Sequence, residues 1–183
     1  MGKILVSLTT ATLLLVTTSF FAQAQSTAPE RMLGAVNAAR AADGMTALTL
    51  DDRLNTAACR QARDLAGKAL HQVEALSHRG SDGSDLAGRL RDAGYRFRTA
   101  AENLAAGVAD PAETVRLWLA SDGHRRNILT VDFRQAGIAH VGSRLSPGGN
   151  RVGPLDVWVL VLAAPQSADE QPRSANNPND SRD

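Results

Sequence analysis

Apolar positions follow two rhythms along the chain. From Thr27 onward, Met32, Val36 and Ala39 recur at helical spacing behind Thr27-Ala28-Pro29-Glu30. There a capping threonine, an early proline and a returning carboxylate mark a helix start. Gly44 ends that run. A second helix is predicted from Asp51, with Leu54, Ala58, Ala62 and Leu65 on one face and Cys59 on its flank. A third spans Asp85 to Ala93, with Leu86 and Leu90 inward and Gly94 as its stop. The fourth opens at Asp110-Pro111-Ala112-Glu113 and turns Val115, Trp118 and Leu119 inward.

Elsewhere the period shortens. Phe97 to Gly107 reads as extended, Ala136 to Val141 as a strand, and Asp156 to Leu162 as a strand with no polar interruption after Asp156. An unbroken apolar strand must be covered on both faces. The predicted fold class is therefore α+β: a three-layer α-β-α sandwich with a small, mainly antiparallel sheet between helices. The turn-forming cluster Ser146-Pro147-Gly148-Gly149-Asn150 is expected to connect the last two strands as an antiparallel pair.

Composition sets the boundaries. Residues 1–24 read as a signal peptide, with Lys3, an apolar stretch from Ile4 to Ala22, and the small-residue cleavage pattern Ala22-Gln23-Ala24. Residues 25–165 form one predicted domain. Residues 166–183 are polar, lack any large apolar side chain and read as a disordered tail. The expected location is secreted or periplasmic, with no transmembrane segment once the signal is removed. The net charge is +1, and the basic residues are scattered singly apart from Arg125 and Arg126. No nucleic-acid partner is expected from such a balance. One cysteine excludes an internal disulfide and a thiolate metal cluster.

Four histidines are the main carriers of chemistry. His71 reads as a solvated surface residue and His140 as a packed strand residue. His78 and His124 sit in polar, glycine-bearing junctions, Leu76-Ser77-His78-Arg79-Gly80 and Ser121-Asp122-Gly123-His124-Arg125. Such junctions present side chains from rigid elements. Glu102 lies in an otherwise apolar stretch, so if it points inward a cation or donor must meet it: His78, His124 or an arginine. Two imidazoles and a carboxylate can hold zinc or another divalent metal with an open position, or can form a plain hydrogen-bond network. Separations of 24 and 22 residues favour neither. Ser121, Asp122 and His124 are not read as a triad; Ser121 or Asp122 instead caps a short helix from His124 to Leu129.

In order, these pieces resemble the CAP superfamily (cysteine-rich secretory, antigen-five and pathogenesis-related-one proteins) in its bacterial SCP-like branch. The resemblance rests on Val36-Asn37-Ala38-Ala39-Arg40, Ser77-His78, Asp82-Gly83-Ser84, Ala93-Gly94-Tyr95 and Ala101-Glu102-Asn103-Leu104-Ala105-Ala106-Gly107. It continues through Trp118-Leu119-Ala120-Ser121, Gly123-His124-Arg125-Arg126-Asn127-Ile128-Leu129 and Gln135-Ala136-Gly137-Ile138-Ala139. It implies an α-β-α sandwich, secretion and a cleft lined in eukaryotic members by two histidines and two glutamates. His78 and His124 match the histidines and Glu102 the first glutamate. The second glutamate falls at or near Ser121, so this chain lacks it.

The expectation is a non-catalytic module whose cleft, lined by His78, Glu102, His124 and Ser121, binds a small molecule, a divalent metal or a cell-envelope component. The alternative is a metal-assisted hydrolase of envelope peptides, glycans or esters. In it His78, His124 and Glu102 are metal ligands, or Glu102 is the general base. A third reading makes the trio a buried structural network.

Overall fold

The computed structural model describes residues 26–68, 76–142, 144–145, 151–152 and 155–166. The apolar leader 1–24, His71, the Ser146–Asn150 connection and positions 167–183 of the tail lie outside those residues.

The elements are α1 (Ala28–Ala42), β1 (Thr49–Leu50), α2 (Asp52–Lys68), α3 (Leu86–Asp92) and β2 (Phe97–Ala106). Then come α4 (Pro111–Leu119), α5 (Asp122–Ile128), β3 (Gln135–Val141), the short pair β4 (Arg144–Leu145) and β5 (Arg151–Val152), and β6 (Val157–Pro165). The caps read from sequence form. Thr27 accepts from Glu30 N while Glu30 accepts from Thr27 N, and Asp110 caps α4; Asp85, read as the start of the third helix, is its N-cap. At Ser121 the expectation needs correction. Ser121 is the N-cap residue of α5, but its side chain makes no capping hydrogen bond, and the helix starts at Asp122.

The main sheet runs β1-β3-β6-β2. β1 and β3 are parallel, and β6 is antiparallel to both β3 and β2. β6 is central and its first eight residues are all buried. Its side chains alternate between two cores. Val157, Val159, Val161 and Ala163 pack with Leu54, Ala58, Leu65 and Leu90 of α2 and α3. Trp158, Leu160, Leu162 and Ala164 pack with Met32, Val36, Val115 and Trp118 of α1 and α4. This is the α-β-α sandwich that the apolar pattern predicts.

Two packing details fix the layers. A Cβ on Gly137 of β3 would stand 2.1 Å from the Leu54 carbonyl carbon, so only glycine lets α2 lie this close to the sheet. Arg40, at the end of the α1 stripe, is fully buried. Its guanidinium donates to the carbonyls of Thr46, Ile128, Thr130 and Phe133 at 2.7–3.3 Å. Arg40 thereby clamps the end of α5 to α1. Burial, and then repulsion from Arg134, lower its pKa.

Candidate functional site

β2 is an edge strand, and that decides the site's shape. Glu102 stands opposite Val161 in the register and Asn103 opposite Leu160. Directly opposed residues share a face of the sheet. Glu102 therefore belongs to the α2/α3 layer and Asn103 to the α4/α5 layer. Adjacent residues reach around the open edge from both sides.

On the first side, the Glu102 side chain is 1% exposed and doubly engaged. Arg89 of α3, itself fully buried, donates from Nη2 to Oε2 at 2.7 Å. His78 places Nδ1 2.9 Å from Oε1. Arg89 also donates from Nη1 to the carbonyls of His78 and Ser84, at 3.2 and 3.3 Å. The same arginine thus holds the carboxylate and the loop that carries its imidazole partner. Gln61 donates to the Ser77 carbonyl at 2.6 Å and anchors the loop to α2. Gly80 closes it tightly, since a Cβ there would meet Asp82 Oδ1 and Ser84 Oγ at 2.7 Å.

On the second side, Asn103 donates to the His124 carbonyl at 3.1 Å and accepts from Asn127 at 2.8 Å, holding α5 at both points. Trp118 donates its indole N–H to the Leu104 carbonyl at 3.0 Å, fastening α4 to β2. Its ring lies 6.4 Å from that of His124, tilted by 48°. Ser121 is exposed at the start of α5.

The electrostatics separate the two histidines. The hydrogen bond that His78 donates to Glu102, aided by the carboxylate's charge, raises the His78 pKa above its ordinary value despite partial burial. Burial lowers the pKa of His124, and the positive charge on His78 lowers it further. With Nδ1 directed to Glu102, His78 keeps Nε2 for the outside, and its side chain is 62% exposed.

A metal site with Glu102 as the third ligand does not fit this donor set. One Glu102 oxygen faces a buried guanidinium and the other faces His78. Two imidazoles then remain, whereas a catalytic zinc site uses three protein ligands. Among the described residues no group of three or more His, Cys, Asp or Glu side chains is arranged to hold a metal ion. The same contacts argue against Glu102 as a general base. It is out of solvent and oriented toward His78, so it positions that imidazole.

Sequence reasoning allowed an arginine opposite Glu102 but did not name Arg89. The available signal was a cation beside Leu90 in the apolar stripe of α3. His140 packs as expected, stacked on Trp158 at 4.0 Å with Nε2 3.0 Å from Asp156 Oδ1.

The cysteine-rich secretory protein (CAP) family profile matches residues 33–161. YkwD of Bacillus subtilis is 30% identical over 114 residues, 62% of this chain and 42% of YkwD. The membrane protein YlbC of the same organism is 27% identical over 114 residues, 62% of this chain and 32% of YlbC. The chain thus spans less than half of either relative. Among solved structures, an extracellular SCP-domain protein of Bacillus anthracis superposes with a TM-score of 0.59 at 22% identity, covering 72% of this chain and 38% of that one. An outer surface protein of Borrelia burgdorferi gives 0.55 at 19% identity, covering 74% and 90%. The ordered motifs, the sandwich and a profile match across most of the described domain lead to one conclusion: the chain belongs to the CAP superfamily, the cysteine-rich secretory protein family, in its bacterial branch.

Proposed function

We propose that the protein is an exported, non-catalytic CAP module whose groove at the edge of β2 binds an acceptor-rich small molecule or cell-envelope fragment through His78 and His124. The leader-like residues 1–24 support export, and no helix among the described residues is long and apolar enough to cross a membrane. The observation that carries the binding reading is the engagement of Glu102 by Arg89 and His78. It leaves an outward imidazole nitrogen as a recognition group while removing the carboxylate from the reacting surface. A complete catalytic set needs an activated nucleophile or a free base in reach of substrate. Neither Ser121 nor Glu102 meets that requirement here.

Calorimetry of the chain from residue 25 onward, with soluble peptidoglycan fragments and separately with zinc chloride, tests the reading. The fragments should give saturable heat, weakened about tenfold by His78→Ala, and mass spectrometry should recover them intact. Chelator-sensitive cleavage that falls with His124→Ala would overturn the proposal in favour of a metal-assisted hydrolase. Fragment binding unchanged by His78→Ala and His124→Ala would move the site elsewhere.

A further inference from the structure

A separate opening lies where α3 turns into β2. A cavity of about 740 Å³ is lined by Arg91, Gly94, Tyr95, Arg96, Phe97 and Gln166. A neighbour of about 330 Å³ shares Gly94, Arg96 and Gln166 and adds Arg53 and Pro165. Phe97 and Glu102 stand five positions apart on the strand, roughly 16 Å of extended backbone, so this cleft is distinct from the site around His78.

The combined lining carries three arginines and no acidic side chain. Gly94, at φ 74°, turns the chain sharply and sets Arg91 and Arg96 on the same opening. Neither of those two has an ion pair or side-chain hydrogen bond among the described residues. Arg53 pairs with Asp51 at 2.7 Å and lies 5.0 Å over the Tyr95 ring. The last carbonyls of α3 do not oppose an anion, because the N–H groups of Ala93, Gly94 and Tyr95 already occupy those of Arg89, Arg91 and Leu90. Phe97, half-buried, supplies an apolar wall.

We infer that this cleft is a second ligand site, for a small molecule bearing a phosphoryl group on an apolar body. Arg91 and Arg96 grip the oxyanion, Arg53 stays paired with Asp51 at the rim, and the body lies against Phe97. Planar guanidinium forks match phosphate oxygens two at a time, and a dianion gains more from two such groups than a carboxylate does. The cavity volume falls in the range of small-molecule sites.

The test is an amide NMR titration of the full chain with phenyl phosphate, inorganic phosphate and benzoate at low salt. Phenyl phosphate should shift Gly94, Arg96 and Phe97 with one saturable constant. Arg91→Gln with Arg96→Gln, both exposed positions, should weaken binding about tenfold or more. His78→Ala should bind as the parent does, which separates this site from the histidine groove. Equal affinity for inorganic phosphate would overturn the apolar half of the assignment, and equal affinity for benzoate the phosphoryl half. Absence of saturation, or saturation untouched by the double substitution, would overturn the site.

Discussion

Replacing Glu102 with alanine probes the buried link beneath His78. Arg89 is fully buried, and its 2.7 Å contact to Glu102 is its shortest. Without the carboxylate, Nη1 keeps only the 3.2 and 3.3 Å bonds to His78 and Ser84, and Nε has no partner among the described residues. The guanidinium becomes a stranded charge, and breaking such a buried pair costs about 3–5 kcal/mol. For a domain of this size that lowers the melting temperature by about 10–15 °C. Removing both partners should behave differently. Glu102→Leu with Arg89→Met deletes the two desolvation penalties together, so the double variant should be less destabilised than either single one. Urea and thermal unfolding of the parent, Glu102→Ala, Glu102→Leu, Arg89→Met and the double variant, followed by circular dichroism, measures both the single loss and the cycle. A loss below about 1 kcal/mol for Glu102→Ala, or a double variant equal to the sum of its parts, would refute the stranded-charge reasoning.

His78 and His124 should titrate apart. His78, raised mainly by its hydrogen bond to Glu102, stabilises the fold fully below its unfolded pKa, and this contribution is lost as pH rises through its raised folded value. His124, depressed by burial, does the reverse: stability present above the unfolded value of 6.5 is lost as pH falls through its folded value. Imidazole C–H shifts in NMR would check both, and Glu102→Gln should lower His78 and, as His78 loses its charge, let His124 rise slightly. Gly137→Ala should destabilise by about 1–3 kcal/mol or more in urea melts, because its neighbour is the backbone of α2 and cannot rotate away. Arg40→Met removes the guanidinium donor from the carbonyls of Thr46, Ile128 and Thr130, while that of Phe133 keeps Arg134, and should cost about 3 kcal/mol, with lost amide-exchange protection in α5 as the readout.

Much of the fold was legible because its signals are local. The capping box at Thr27, the cap at Asp110 and the stop at Gly94 depend on residues within four positions of one another. The unbroken apolar run of β6 likewise reported a strand covered on both faces, since buried positions without a polar partner must be apolar wherever their neighbours lie. His78, Glu102 and His124 stood out by residue type against their surroundings. The order of the motifs carried the family.

Tertiary structure alone decided how those residues are used. Pairing β2 against β6 left β2 at the edge and sent Glu102 and Asn103 into opposite layers. No periodicity reveals that, because edge or centre depends on strands distant in sequence. Arg89 and Arg40 looked like ordinary helix charges, yet both are buried and organise the loops around them. Their partners lie 13 and about 90 residues away. An arginine enters a core only where convergent oxygens replace its water, and that convergence exists only once the layers have packed.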